Sequence, residues 1–191
     1  MAERDFLETF KVPPVAYNFV DQMVTEVEQR FLARMAGKEF TAPEVVDLVS
    51  ELRGEPASEQ EAAMVLRQGY KRGSLNLLDE ERMLYAVSDF FVRLDVFSVT
   101  ETEVYRRFPK EVRRQLNTLY LERYVGGLDR MADTPTLDEV VPLEELTERI
   151  ERDERQIYLS PCDCRALAGE CEKPTLTCLS YRTVPGSYAS R

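Results

Sequence analysis

All four cysteines of this 191-residue chain lie in one short stretch near its C-terminal end. They are Cys162, Cys164, Cys171 and Cys178. A disulfide framework spreads its cysteines to join distant segments, whereas thiols gathered locally in a chain without an export signal are typical of a metal site. Because the chain has no histidine, we expect any metal to be held by sulfur or oxygen.

The spacing Cys-x-Cys-x6-Cys-x6-Cys matches neither common template. Structural zinc sites usually present two cysteine pairs, each separated by two to four residues, and bacterial ferredoxins space their first three cysteines by two. Three interpretations stay open: a [4Fe–4S] cluster with four cysteine ligands, a structural Zn²⁺, and four reduced thiols. Positively charged side chains in and beside the cysteine stretch are expected to lower the thiol pKa values. These side chains are Arg155, Arg165, Lys173 and Arg182.

Other chemistry finds little support in the composition. The absence of histidine excludes a Ser-His-Asp triad and a Cys-His dyad, and no glycine-rich phosphate loop is present among only 8 glycines. We therefore nominate no catalytic residue and expect a protein that is not a stand-alone enzyme. No apolar stretch approaches the roughly 20 residues of a membrane span, and the N-terminus lacks a signal-peptide pattern, so we expect a cytoplasmic protein without a membrane partner.

The pattern along the chain predicts a mainly α fold with a small β-hairpin. One helix is predicted from Pro14 to Met35 and is expected to end at Gly37. It carries an apolar stripe formed by Val20, Val24, Val27, Phe31 and Met35. We expect this stripe to belong to the core, and a homodimer interface is the alternative. Capping boxes at 41–44 and 58–61 open two further helices. Apolar runs at 75–78 and 83–87 flank a charged loop at 79–82, the pattern of a hairpin.

This order predicts a winged-helix-like domain over 14–90. The helix at 59–72 would then be the recognition helix and 79–82 the wing. Its charges disfavour DNA, because Glu59 and Glu61 lie in the turn that would enter the groove and the whole chain has a net charge of −10. A metal-responsive DNA-binding regulator, contacting phosphate through Arg67, Lys71 and Arg72, remains an alternative.

A helical extension is predicted over 91–154. A cluster of Phe90, Phe91, Leu94 and Phe97 precedes a basic stretch at 105–114, and Gly126-Gly127 is expected to end the helix that follows. Leu143, Leu146 and Ile150 mark a short amphipathic helix inside an acidic segment. A strand-like run at 156–159 leads into the cysteine-rich metal segment, residues 155–191.

Taken with the predicted domain order, the motif Pro161-Cys162-Asp163-Cys164-Arg165, followed by Cys171, Pro174 and Cys178, resembles a group of winged-helix-containing iron–sulfur proteins of anaerobic bacteria and archaea. The resemblance implies that Cys162, Cys164, Cys171 and Cys178 ligate one [4Fe–4S] cluster. It also implies a redox accessory or redox-sensing role beside a partner protein or within a larger complex. A structural zinc module in an interaction protein is the alternative.

Overall fold

The computed structural model describes residues 2–130, 141–154, 157–168 and 176–181. Helices dominate, and two small antiparallel sheets complete the fold, so the predicted mainly α class with a small β-hairpin is confirmed. The elements in chain order are α1 (Ala2–Thr9), a 3₁₀ turn (Pro14–Ala16), α2 (Val20–Met23), α3 (Glu26–Met35), β1 (Glu39–Phe40), α4 (Ala42–Arg53), α5 (Glu59–Lys71), β2 (Leu75–Asp79), β3 (Leu84–Val87), α6 (Phe90–Thr100), α7 (Thr102–Tyr105), α8 (Lys110–Arg130), α9 (Leu143–Arg152), β4 (Ile157–Pro161), α10 (Asp163–Ala168) and β5 (Leu176–Tyr181).

The first sheet joins β1, β3 and β2 in that order, and all its pairs are antiparallel. β2 and β3 form the predicted hairpin, with Leu75 opposite Val87 and Leu77 opposite Tyr85. The succession α3, β1, α4, α5, β2, β3 is the one expected of a winged-helix domain. The identification with that class stays a prediction.

The single helix predicted from Pro14 to Met35 is wrong. The chain instead forms the 3₁₀ turn, α2 and α3, because Val24 is extended (φ −132°, ψ 118°) and Thr25 starts a new helix. The Thr25 hydroxyl accepts a hydrogen bond from the Glu28 N–H, and the Glu28 carboxylate accepts one from the Thr25 N–H, which makes a capping box. Of the predicted stripe, only Val27 is exposed, so the stripe serves the core.

The predicted end of a helix at Gly126-Gly127 is also wrong, since α8 continues through both glycines to Arg130. Glycine weakens a helix without terminating it when backbone hydrogen bonds continue on both sides. Arg123 of α8 forms an ion pair with Asp89, and its guanidinium carbon lies 5.1 Å from the Phe91 ring centre, so α8 is anchored to the start of α6.

One hydrophobic core joins the N-terminal helices to α6, α8 and α10. It begins earlier than the predicted domain start at residue 14, since Phe6 and Phe10 of the α1 region are fully buried and stack at 5.4 Å. It also reaches Leu116 of α8 and Leu167 of α10. The cysteine-rich segment is therefore packed against the helical body through α10. None of the helices in the described residues is both long and apolar enough to cross a membrane.

Arg93, in the first turn of α6, is completely buried. Its guanidinium donates to the Met23 carbonyl from Nε and Nη2 (2.9 and 2.6 Å), to the Arg72 carbonyl at 3.2 Å and to the Glu101 carboxylate at 2.5 Å. Its central carbon lies 5.0 Å from the Phe97 ring centre. Burial lowers the Arg93 pKa, and the Glu101 charge opposes this shift. One side chain thus joins the end of α2, the end of α5 and the start of α7.

We expect Glu61→Gln to lower the melting temperature at pH 6, with a smaller effect near pH 3. The Ser58 N–H donates to the Glu61 carboxylate at 2.8 Å, and this bond, helped by Arg53, lowers the Glu61 pKa to about 2. The unfolded pKa is about 4.3, so the stabilisation is complete above that pH and is lost as the pH falls towards 2. Thermal unfolding followed by circular dichroism from pH 6 to 3 measures the effect.

The matched control is Glu59→Gln, since Glu59 lies in the same first turn but takes no part in this capping box. A difference between wild type and Glu61→Gln that stays constant from pH 6 to 3 would contradict the role given to the carboxylate.

Candidate metal centre

The second sheet is a two-stranded antiparallel pair that brings together two distant parts of the cysteine segment. Ser160 of β4 lies opposite Cys178 of β5, and the Ser160 hydroxyl donates to the Cys178 carbonyl at 3.4 Å. Cys162 follows the last residue of β4 directly. The strand pairing therefore places the side chains of Cys162 and Cys178, 16 residues apart in sequence, within hydrogen-bonding reach of each other.

The helix α10 begins immediately after Cys162 and adds two further side chains that can bind a metal, those of Asp163 and Cys164. The sulfur atoms of Cys162 and Cys164 and a carboxylate oxygen of Asp163 all lie within 4.8 Å of one another. The Ala166 N–H donates to the Cys162 carbonyl at 3.0 Å, which fixes Cys162 at the helix start. Three donor side chains thus face a common point at the junction of β4 and α10.

Three of the four predicted ligands are among the described residues. Cys162 lies close both to Cys164 and to Cys178. Cys162 and Cys178 are half-buried, and Cys164 is exposed. Cys171 and Pro174 of the predicted motif lie outside the described residues, as do Arg155, Lys173 and Arg182. Asp163 was not predicted as a donor, although its place between two cysteines was a visible signal.

Two tyrosines from the helical body hold α10 in place. The Tyr105 hydroxyl donates to the Leu167 carbonyl at 2.9 Å, and the Tyr120 hydroxyl donates to the Asp163 carboxylate at 3.1 Å. Leu167 itself is fully buried in the core. Burial raises the pKa of Tyr105 to about 12, and burial together with nearby carboxylates raises that of Tyr120, so both hydroxyls are protonated donors at neutral pH.

The expected lowering of the thiol pKa values is wrong for Cys164 and Cys178. Partial burial, followed by the neighbouring Asp163 carboxylate, raises the pKa of Cys164 to about 11. Burial and the hydrogen bond with Cys162 raise that of Cys178, and Arg165 opposes this shift only weakly. A bound cation would reverse the balance, because metal binding stabilises the thiolate and releases its proton.

This donor set fits a metal ion that prefers sulfur. Thiolates bind zinc and iron–sulfur clusters, whereas magnesium and calcium require oxygen ligands. Among the described residues, the Cys162, Asp163 and Cys164 side chains form the group whose chemistry and spacing allow metal binding.

One of the basic residues predicted to contact DNA makes its contacts within the protein instead. Arg72, one of three basic residues expected to meet phosphate, donates to the Met23 carbonyl at 2.9 Å and lies 3.6 Å from Glu28 and 3.8 Å from Glu101. Met64 of the same helix, α5, is 64% exposed. An apolar side chain there suits a protein partner better than a phosphate backbone, so DNA contact stays a disfavoured prediction.

Comparison with protein-family models, with curated proteins and with solved structures found no match to this chain. The functional assignment therefore depends on the residues and their geometry.

Proposed function

We propose that this protein binds one iron–sulfur cluster through Cys162, Cys164, Cys171 and Cys178 and acts as a redox accessory or redox-sensing module. The observation that carries the proposal is that Cys162 lies close to Cys164 on one side and to Cys178 on the other, at the junction of β4, α10 and β5. A [4Fe–4S] cluster held by four thiolates would supply one-electron redox chemistry.

The surrounding residues have defined roles in this proposal. The β4–β5 pairing would set the separation of Cys162 and Cys178, and α10 would carry Cys164 on its first turn. Tyr105 and Tyr120 would fix α10 against the helical body through Leu167 and Asp163. Cys164 is exposed, so in this proposal a partner protein would approach the cluster at Cys164 to exchange an electron.

A structural zinc ion is the second candidate, and the position of Asp163 favours it. Zinc accepts carboxylate oxygen together with thiolate sulfur, and Asp163 lies between two cysteines within 4.8 Å of both sulfurs. In that case the metal would hold β4, α10 and β5 together, and the protein would act through its helical surfaces.

Metal analysis of protein purified without air distinguishes the two candidates. We expect about four irons and four acid-labile sulfides per chain, with a broad absorption near 400 nm that is bleached reversibly by a one-electron reductant. About one zinc per chain with no visible absorption would refute the cluster and establish the structural ion.

A further inference from the structure

Cys162 and Cys178 are a pair of thiols that contact each other across the second sheet. The antiparallel pairing of β4 with β5 places Ser160 opposite Cys178, and Cys162 directly follows the last residue of β4. The two cysteine side chains are hydrogen-bonded to each other, and both are free thiols. Two sulfur atoms that a strand pairing brings this close are placed for thiol–disulfide exchange as well as for metal binding.

The third described cysteine, Cys164, is engaged in a different contact. Its thiol is hydrogen-bonded to the Asp163 carboxylate on the first turn of α10. The Ala166 N–H donates to the Cys162 carbonyl, so Cys162 and Cys164 lie in one helical turn, where residues two apart do not face each other. Cys178 is therefore the favoured partner of Cys162 in a disulfide.

A small oxidant can reach this pair, because Cys162 and Cys178 are half-buried rather than enclosed in the core. A low-molecular-weight disulfide such as oxidised glutathione supplies the oxidation. One cysteine thiolate attacks a sulfur of the oxidant and displaces a glutathione thiolate, and the other cysteine then attacks the protein sulfur of this mixed disulfide and displaces the second. The cysteine pair loses two electrons and two protons, and the oxidant becomes two molecules of reduced glutathione.

We propose that Cys162 and Cys178 form a reversible disulfide when the site holds no metal, and that this disulfide closes the site to metal. The metal ligand is the thiolate, and a sulfur in a disulfide is no longer a thiolate. The closure rests on the proposed metal-binding function, whereas the disulfide itself depends only on the contact between the two thiols. A low-molecular-weight disulfide and a metal thus compete for the same two sulfur atoms.

Tryptic mapping of the oxidised, metal-free full chain identifies the disulfide. One tryptic peptide, 156–165, contains Cys162 and Cys164, and the next, 166–182, contains the other two cysteines, because trypsin does not cleave the Lys-Pro bond within it. We expect oxidised glutathione to consume two of the four thiols and to join these two peptides. A disulfide confined to peptide 156–165, or a chain that keeps all its thiols, would overturn the proposal.

Two double variants, each with only two cysteines left, assign the sulfur atoms. Cys164→Ser with Cys171→Ser keeps the proposed pair and should form an intramolecular disulfide as fast as wild type. Cys162→Ser with Cys171→Ser keeps Cys164 and Cys178, which lie on opposite sides of Cys162, and should form one at least about tenfold more slowly. Circular dichroism checks that both variants fold, and equal rates would contradict the pairing.

Zn²⁺ binding before and after oxidation tests the closure of the site. The reduced, metal-free chain should bind about one Zn²⁺. The oxidised chain should bind less than about one-tenth as much, and dithiothreitol should restore binding. Unchanged Zn²⁺ binding by the oxidised chain would refute the closure. A reduced chain that binds neither Zn²⁺ nor iron would instead refute the proposed function, and the peptide map would still decide whether the disulfide forms.

Discussion

Replacing Arg93 by methionine is expected to lower the free energy of unfolding by about 3 kcal/mol. The substitution keeps a long apolar side chain but removes every donor of the guanidinium. The carbonyls of Met23 and Arg72 lose those donors, and the Glu101 carboxylate loses its buried cation. Glu101 is 32% exposed and can be rehydrated, so we expect the lower end of the range of about 3–5 kcal/mol for breaking a buried pair.

Urea denaturation of the metal-free full chain, followed by circular dichroism, measures this loss. Because domains of this kind are stable by only about 5–15 kcal/mol, it should move the midpoint well towards lower urea. Arg106→Met is the matched control, since Arg106 is 57% exposed and its ion pair with Glu103 spans 3.6 Å on the surface. Such a pair contributes about 1 kcal/mol at most.

Arg93→Lys tests whether the forked geometry matters or only the charge. An ammonium group cannot donate to Met23, Arg72 and Glu101 from one planar group, so we expect a stability between those of wild type and Arg93→Met. If Arg93→Met stayed within 1 kcal/mol of wild type, the buried guanidinium would not hold α2, α5 and α7 together as the contacts indicate.

Much of the fold follows from local signals in the sequence. The capping boxes at Thr41 and Ser58 correctly place the starts of α4 and α5, and the two apolar runs around residues 79–82 correctly place the β2–β3 hairpin. These predictions succeed because a cap or a hairpin turn depends on residues within a few positions of each other.

The predictions of helix bounds that failed are those in which two local signals compete. The apolar stripe from Val20 to Met35 favoured one helix, yet Thr25 and Glu28 form a capping box that interrupts it. The capping pattern is present in the sequence, but the prediction followed the apolar periodicity instead. At Gly126 the prediction ended a helix at the glycines, whereas the hydrogen-bonded turns of α8 continue through them.

For the candidate site, the metal-binding residues could be predicted from the sequence, but the residues that hold them in place could not. The cysteines were recognisable by their clustering alone. The tyrosines that hold α10 are 62 and 43 residues from their acceptors, Leu167 and Asp163, and no local spacing reveals contacts of that range. The raised thiol pKa values likewise depend on burial, which a count of nearby charged residues does not measure.

Replacing Cys178 by serine is expected to remove at least nine-tenths of the bound metal from anaerobically reconstituted protein. A serine hydroxyl is a far weaker ligand than a thiolate for iron or zinc. Cys178 lies on β5, and its side chain reaches Cys162 only through the β4–β5 pairing, so no other described thiol can take its place. Elemental analysis per folded chain, with circular dichroism as the check on folding, measures the loss.

Asp163→Asn is the variant that decides which donors matter. If the four cysteines form the ligand set, the Asp163 carboxylate mainly accepts the hydrogen bond from Tyr120, and an amide oxygen can accept it as well. We therefore expect Asp163→Asn to keep more than half of the metal, whereas Cys164→Ser, one residue away, should lose it as Cys178→Ser does. The reverse pattern, with metal lost from Asp163→Asn and kept by Cys178→Ser, would move the site to Cys162, Asp163 and Cys164 and favour a zinc ion with mixed sulfur and oxygen ligands.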